Sequence, residues 1–240
     1  ETSIRVAEMV KYASNAFHAV KVCFANEMGT LAKKLEVDAG AVTDIFASDT
    51  RLNISTAYLS PGFSFGGSCL PKDVRALANC AQEHGLRLPM MESVLRSNQE
   101  HLERVVEMAL RDGKKKICLL GLSFKAGTDD LRESPHVELV KRLLSQGCTL
   151  TIWDPSVVPG RLAGANRQFI EGAISYIGAL LRQDLKEAVE AAEVVIVGTK
   201  EAKRESLDQC LRPEQIVIDL VNLKKKLRPQ AGSQYEGICW

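Results

Sequence analysis

Four short, largely apolar runs, the first of them without polar alternation, recur through the second half of this 240-residue chain, and they constrain its fold more than any other feature. Two segments between these runs have helical patterns, His136–Gln146 before the second run and Leu185–Ala192 before the third. Residues 156–184 carry no clear pattern. Strands that alternate with helices favour right-handed crossovers and a doubly wound parallel sheet, an α/β fold. The four runs predicted to be buried strands are Ile117–Leu122, Thr149–Trp153, Val194–Gly198 and Ile216–Leu220.

The first half of the chain is predicted to be helical. From Val6 to Phe24 apolar residues recur at steps of three and four, and a second face lies about 110° away. A helix covered on two faces is usually central, so we expect both faces to be buried. The remaining sector carries Lys11, Asn15 and His18 and is either a solvated polar strip or one wall of a cleft. The second face consists of Tyr12, Ala16, Ala19 and Cys23.

Three further helices are expected before the sheet. They cover Asp38–Phe46, the segment from Pro71 to Glu83 with Gly85 as its stop, and Glu92–Leu110. The run Gly113-Lys114-Lys115-Lys116 marks the change of architecture. We therefore expect a helical dimerisation domain over 1–93, a connecting helix over 94–113 and a Rossmann-like domain over 114–240.

Composition excludes several classes of protein. Lys plus Arg number 31 and Asp plus Glu 30, a balance that argues against a general nucleic-acid binder. No run approaches the roughly 18 apolar residues of a membrane span. The start Glu-Thr-Ser-Ile-Arg has neither Met nor a signal core, as if cut from a longer protein. Seven cysteines without a C-x-x-C pair indicate reduced thiols in a cytoplasmic protein, with no metal site expected.

The segment from Pro61 to Asp73 is the most informative for chemistry. Gly66 and Gly67 allow a tight backbone that delivers Cys69 just before a helix, whose positive end favours a thiolate. Lys72 adds positive charge, and Asp73 could hold or activate a water. Cys69 is therefore either a nucleophile or a cysteine buried at a helix start. No histidine at fixed spacing makes a Cys-His protease pair.

A second informative segment runs from Gly121 to Ser134, after the first predicted strand. Its glycines lie six apart, so the dinucleotide fingerprint G-x-G-x-x-G is absent. Asp154 stands where a ribose-binding acid would, but a turn-forming role is favoured. Lys125 and Arg132 either neutralise phosphates or belong to an exposed basic loop.

Together the two segments, the helix with Lys11, Asn15 and His18, and the terminus Tyr235–Trp240 resemble the C-terminal part of the UDP-glucose/GDP-mannose dehydrogenase family. The terminus is most similar to the GDP-mannose branch. Family members oxidise the C6 alcohol of a nucleotide sugar to a carboxylate in two steps, each reducing one NAD. The resemblance implies a cytosolic homodimer, joined through its helical domain, that supplies uronic acids for polysaccharide.

The resemblance also implies roles for individual residues. Cys69 would attack the C6 aldehyde to give a thiohemiacetal, then a thioester that water hydrolyses. Lys11 would stabilise the oxyanion, Asn15 would hydrogen-bond water or substrate, and Asp73 would position or activate the water. Lys125 and Arg132 are also possible NAD contacts. The substrate would be bound by His18, Tyr58, Gly62, Phe63, Phe65, Gly66, Lys125 and Arg132.

Two departures from the family pattern bear on these expectations. The N-terminal NAD-binding domain of the family is missing, so this chain is expected to be a fragment that is inactive by itself. In the GDP-mannose branch a tyrosine and an arginine stand where this chain has Ala57 and Ser60, in a loop that reaches across the dimer. Tyr58 and Pro61-Gly62-Phe63 are retained.

Other functions stay open at this point. The substrate could be UDP-glucose or another UDP-hexose. The chain could also be a nucleotide-sugar-binding or dimerisation module without chemistry, or part of a hydroxy-acid dehydrogenase, although such an enzyme has no use for Cys69.

Overall fold

A computed structural model describes residues 3–34, 36–50, 60–83, 89–158, 160, 164–202, 204–223 and 234–239. The chain divides into two compact units, Glu1–His101 with Cys239–Trp240, and Leu102–Ile238. None of the helices within those described ranges is long and apolar enough to cross a membrane.

The first unit is helical, as the sequence predicts. α1 begins earlier and ends later than its apolar stripe indicated, and α3 begins at Leu70, one residue before the expected Pro71. Asp38 caps α2 because its Oδ1 accepts the backbone N–H groups of Gly40 and Ala41 at 2.8 and 3.1 Å. The predicted stop at Gly85 lies outside the described residues. The helices are α1 Ile4–Lys34, α2 Ala39–Ser48, α3 Leu70–Glu83 and α4 Pro89–Leu110.

The two faces of α1 have different surroundings. Ala16, Ala19 and Cys23 are buried in a core with Phe65, Val74 and Val94, and their small size lets neighbouring segments approach closely. The other face, which we call the outer stripe, stays between 41% and 59% exposed. The expectation that both faces are buried is therefore wrong for the single chain, because the described residues cover the small-residue face and leave the outer stripe largely exposed. The outer stripe consists of Val6, Met9, Val10, Phe17 and Phe24.

The second unit contains the predicted parallel sheet, with six strands in the order β3-β2-β1-β4-β5-β6. All neighbours pair in parallel, for example Leu119 with Ile152 on one side and Ile196 on the other. The chain winds outward from β1 in one direction and then, from β4, in the other, which confirms the doubly wound fold. The strands are β1 Lys116–Leu120, β2 Thr149–Trp153, β3 Leu181–Arg182, β4 Val194–Val197, β5 Ile216–Asp219 and β6 Gln234–Gly237. The helices are α5 Pro135–Ser145, α6 Gly164–Ala173, α7 Ile177–Leu180, α8 Leu185–Glu190 and α9 Arg204–Cys210.

The sequence patterns missed both edge strands. β3 is two residues long, too short for a pattern, and β6 reads Gln-Tyr-Glu-Gly, which is polar. β6 is held instead by side chains: the Tyr235 hydroxyl donates to the buried carboxylate of Asp219, and Glu236 forms an ion pair with Arg111 at 3.0 Å. Contacts distant in sequence therefore determine the edges of this sheet.

His136 lies at the carboxyl ends of β1 and β4 and contacts the residues that follow both strands. Its ring lies in the protein interior, with Nδ1 2.9 Å from the Ser123 carbonyl oxygen and Nε2 3.0 Å from that of Gly198. Burial lowers the pKa of His136 to about 4, although the two carbonyls and Asp154 act in the opposite direction. His136 is therefore neutral in the folded chain at neutral pH.

Neutral, buried His136 should make stability depend on pH. Since its pKa falls from 6.5 unfolded to about 4 folded, the unfolded chain binds the extra proton in that window. The free energy of unfolding should fall as pH drops through the window, by up to roughly 3 kcal/mol from this residue. Urea denaturation of wild type and His136→Gln between about pH 7 and pH 4.5 measures this slope. The control Gln82→Ala, at an exposed residue that carries no titratable group, should keep the slope. An unchanged slope in His136→Gln would contradict the assignment.

Candidate active site

The first unit brings three predicted residues together around one carboxylate. Asp73, on α3, is completely buried. Its Oδ2 lies 3.3 Å from Lys11 Nζ and accepts a short hydrogen bond from Asn15 Nδ2, both on α1. Its Oδ1 lies 3.3 Å from Lys72 Nζ. At these two positions the polar sector of α1 therefore contacts α3, although the Lys11 side chain is also 54% exposed.

The surroundings of Asp73 keep it ionised. Burial by itself raises the pKa of the Asp73 carboxyl, but hydrogen bonds from Asn15, Lys11 and Lys72 outweigh it and hold that pKa below its ordinary value. One carboxylate with two ammonium groups leaves a net positive charge in the cluster. Such a cluster suits a negative charge that develops on a nearby oxygen.

Cys69 stands at the start of α3, next to this cluster. Its carbonyl accepts the Asp73 backbone N–H at 2.8 Å, the first bond of the helix, so Cys69 occupies the N-cap position. The cysteine is exposed, unlike Cys23, Cys118 and Cys148. Burial as the explanation for Cys69 is therefore wrong, because the start of the helix faces outward at this point.

The glycine-containing segment before Cys69 is held by α4. Asn98 Oδ1 accepts the Phe65 N–H at 2.8 Å, and Asn98 Nδ2 donates to the Phe65 carbonyl at 2.9 Å. The Ser64 hydroxyl donates to the Asn98 backbone carbonyl at 2.8 Å. This double hydrogen bond, which we call the Asn98 clasp, satisfies both backbone groups of a residue that is 8% exposed.

Gly62 is held in the same way a few residues earlier. Its N–H donates to Asn26 Oδ1 at 2.9 Å, and its carbonyl oxygen lies 2.7 Å from His101 Nε2. At Gly29 a Cβ atom would come within 2.9 Å of Pro61, so α1 passes close to this segment only because glycine is there.

Sequence reasoning missed Asn26, Asn98 and His101. Each lies on a helix more than 30 residues from its partner, and no spacing in the sequence connects them. Of the predicted substrate residues in this unit, Gly62, Phe63, Phe65 and Gly66 lie in the held segment, and His18 lies partly buried on α1. Tyr58 lies outside the described residues, while Ser60 is exposed.

In the second unit, the loop from β1 to α5 is organised by a buried carboxylate. Asp154 Oδ2 accepts the backbone N–H groups of Leu122 and Ser123 at 2.8 and 3.0 Å and the Ser123 hydroxyl at 3.0 Å. Its Oδ1 accepts the Ser156 N–H at 3.0 Å, which is the turn-forming role the sequence favoured. Asp154 is therefore engaged with backbone and does not face a ribose.

The two predicted cations of this loop differ in their surroundings. Arg132 donates from Nε and Nη2 to the two oxygens of Asp130 at 2.9 and 2.8 Å, so its charge is compensated. Lys125 is exposed and lies 5.4 Å from the centre of the Phe124 ring. Within the described part of the chain, no carboxylate forms an ion pair with Lys125.

The second unit does not fit NAD in the usual Rossmann manner. That site needs a glycine turn after the first strand and an acid directed at the ribose. Here Gly121 and Gly127 are six residues apart and Asp154 holds the loop. Among the described residues, no group of three His, Cys, Asp or Glu side chains is arranged to hold a metal ion.

Comparison with known proteins accounts for both units. Residues 5–100 match the central domain of the UDP-glucose/GDP-mannose dehydrogenase family, and residues 118–226 match the UDP binding domain of the same family. The chain belongs to this family. Its GDP-mannose 6-dehydrogenase relative from Pseudomonas putida is 44% identical over 237 residues, covering 99% of this chain and 54% of that protein.

Solved structures of the family agree in fold. A ternary complex of GDP-mannose dehydrogenase from Pseudomonas aeruginosa is 43% identical, with a TM-score of 0.70 over 100% of this chain and 54% of that one. A UDP-glucose dehydrogenase from Pyrobaculum islandicum is 33% identical, with a TM-score of 0.81 over 98% and 51%. The chain thus spans about half the length of the family members it matches.

The Asn98 clasp should contribute to the stability of the first unit, and substitutions of Asn98 test this. Asn98→Ala leaves two backbone groups of buried Phe65 without partners and should lower the free energy of unfolding by about 2–4 kcal/mol. Asn98→Asp keeps the acceptor but sets a carboxylate oxygen against the Phe65 carbonyl oxygen, so it should also be destabilising. Urea denaturation measures stability, and hydrogen exchange at the Phe65 amide should lose protection in Asn98→Ala. Glu100→Ala, an exposed neighbour on α4, is the control; equal behaviour of the two alanine variants would contradict the clasp.

Proposed function

We propose that this chain is part of an NAD-dependent nucleotide-sugar 6-dehydrogenase in which Cys69 bonds covalently to the substrate. The observation that carries the proposal is the cluster of Lys11, Asn15, Lys72 and Asp73, one helical turn from an exposed cysteine at the start of α3. Membership of a dehydrogenase family supports it. A binding module without chemistry would have no need of this cluster.

The covalent steps can be written for the residues of this chain. The Cys69 thiolate adds to the C6 aldehyde carbon, a C–S bond forms, and the carbonyl electron pair moves onto oxygen. In this proposal Lys11 and Asn15 stabilise that oxyanion. Loss of a hydride from the same carbon to NAD would give the thioester. Water then attacks that carbon, its proton passes to solvent, and the sulfur leaves as thiolate.

Asp73 has a supporting role in this proposal. Its lowered pKa makes it a weak base, so we assign it to orienting Lys11 and Asn15 rather than to removing a proton from water. NAD supplies the hydride acceptor for the oxidations. We propose that NAD is bound mainly outside the residues of this chain, because the second unit lacks the glycine turn of a Rossmann NAD site and the chain covers 54% of its GDP-mannose 6-dehydrogenase relative.

Cys69 should be the most reactive thiol of those described. Burial raises the pKa of Cys118 to about 12, and also raises that of Cys148 and of Cys210. At neutral pH the thiolate fraction of Cys118 is then lower by a factor on the order of 10³ than that of an ordinary cysteine. Limited iodoacetamide labelling with peptide mapping should find Cys69 labelled first. Equally fast labelling of Cys148 or Cys210 would contradict the prediction that Cys69 is the most reactive thiol. The Cys69→Ser variant is the control that confirms which peptide carries the label.

The substrate in this proposal is GDP-mannose, bound with help from Lys125 on its phosphates. The 44% identity to GDP-mannose 6-dehydrogenases supports this choice over UDP-glucose. Against it stands Ser60, which cannot supply the charge-assisted bond of an arginine. The unbridged cysteines among the described residues support a reducing, cytoplasmic setting.

Titration calorimetry on this chain compares the two nucleotide sugars. GDP-mannose should bind more tightly than UDP-glucose, and Ser60→Arg should tighten GDP-mannose binding roughly tenfold by adding a charge-assisted bond. Ser145→Arg, an exposed position on α5, is the control for charge. Tighter binding of UDP-glucose would overturn the GDP assignment and leave the Cys69 chemistry standing.

A second copy of the chain is the partner proposed for the outer stripe. The stripe runs roughly 27 Å along α1, and the contact between Phe24 and Phe46, with ring centres 5.5 Å apart, continues it onto exposed Val42 and Ile45 of α2. An exposed apolar surface of this extent is typical of an interface between subunits. A twofold axis would place stripe against stripe.

Light scattering after gel filtration tests the dimer. The double variant Val10→Glu/Phe17→Glu should be monomeric, because it places charge in the middle of the stripe, and should still fold, because both positions are exposed in the single chain. Gln82→Glu, on the exposed side of α3, should remain dimeric. A monomeric wild type at about 100 μM would contradict the proposed interface.

A further inference from the structure

We propose that Asn166 is a positioning residue for the loop that carries Lys125, a role that rests on the proposed contact of Lys125 with substrate phosphates. Asn166 lies on α6 and binds the loop through both polar atoms of its side chain. Its Oδ1 accepts the Leu131 N–H at 2.9 Å, and its Nδ2 donates to the Asp129 carbonyl at 2.7 Å. These two bonds hold the backbone on either side of Asp130.

The turn that Asn166 holds has a defined shape of its own. The Thr128 hydroxyl accepts the Asp130 N–H at 3.2 Å, and Asp130 Oδ1 accepts the Arg132 N–H at 3.0 Å. The Leu131 side chain is completely buried. Residues 128–132 therefore behave as one body, which Asn166 ties to α6.

The loop before this turn is held by other elements. The Ser123 N–H donates to buried Asp154 at 3.0 Å, and the Ser123 hydroxyl lies 3.1 Å from the Lys125 carbonyl oxygen. The Gly127 N–H donates a short hydrogen bond to Glu201. Lys125 thus lies on a backbone that is held on both sides.

Gly127 makes the contribution of Asn166 to this arrangement necessary. Its φ of 75° lies in the left-handed region, and a glycine leaves the chain free to pivot there. Without Asn166 the body of residues 128–132 can turn about Gly127 and pull on the segment with Lys125. With Asn166 in place, the flexible stem of Lys125 starts from a fixed point.

A fixed starting point matters for binding because less conformational entropy is lost when the ammonium group meets a phosphate. Asn166 carries no charge, so its removal changes the position of the loop and not its electrostatic attraction for an anion. The affinity lost in Asn166→Ala therefore measures positioning.

Titration calorimetry on this chain tests the role in a Cys69→Ser background, which excludes covalent chemistry. The probes are GDP-mannose and UDP-glucose, because both carry the same diphosphate. Asn166→Ala should weaken the binding of both by about fivefold and Lys125→Ala by about tenfold. Gln168→Ala, at an exposed residue of the same helix, should leave both affinities unchanged.

A double-mutant cycle separates positioning from a general loss of structure. If Asn166 acts through Lys125, the double variant Asn166→Ala/Lys125→Ala should bind no more weakly than Lys125→Ala. In ¹⁵N relaxation the heteronuclear NOE of the Lys125 amide should fall in Asn166→Ala, while that of the Val195 amide in β4 stays at its wild-type value.

Three results would overturn the proposal. Unchanged affinity in Asn166→Ala removes the positioning role and leaves Lys125 as a phosphate contact. An equal loss of affinity with and without Lys125 assigns Asn166 to general stability. Unchanged affinity in Lys125→Ala removes the phosphate role of Lys125 and the role of Asn166 with it, while labelling of Cys69 by iodoacetamide tests the covalent chemistry independently.

Discussion

The buried negative charge of Asp73 is the constraint on which the first unit depends. A carboxylate with no exposure to water is stable only when it is paired and hydrogen-bonded, and its partners come from two helices. Lys11 and Asn15 bring α1 to α3, while Lys72 closes the other side. The same pairing that stabilises the interior aligns the polar sector of α1 with the start of α3, where Cys69 is exposed. The stability of this unit and the geometry of the proposed site thus depend on one group.

The second unit uses buried acids in a different way. Asp154 and Asp219 stand at the carboxyl ends of β2 and β5, and each accepts backbone N–H groups from the residues that follow a strand. These bonds give the loops defined shapes without exposing the acids to a ligand. The loop after β1 keeps Lys125 exposed, while Arg132 is compensated by Asp130. The acid at the usual ribose-binding position of such folds is therefore engaged in shaping the loops.

The apolar periodicity of the sequence predicted those helices and strands whose formation depends on neighbouring residues. The four long helices and the four central strands follow from apolar periodicity, because each of these elements buries a face or a whole strand. The spacing of Lys11 and Asn15 predicted a shared helix face, and the glycines before Cys69 predicted a tight approach to a helix start. The expectation of burial for both faces of α1 was wrong, because periodicity reports an apolar face and not what covers it. The edge strands β3 and β6 were missed because one is too short and the other is polar.

The sequence by itself predicted α1–α5, α8, the four central strands and the position of Cys69 before α3, since each depends on residues within about 20 positions of one another. The alternation of strands with helices then favoured a parallel sheet. Only the tertiary structure decided that Asp73 is buried between Lys11 and Lys72, that Asn98 holds Phe65, and that Glu201 accepts the Gly127 N–H of the loop that carries Lys125. These contacts join residues more than 30 positions apart, except Lys72 beside Asp73. Their partners are selected by how helices and strands pack, and a one-dimensional pattern carries no record of that packing.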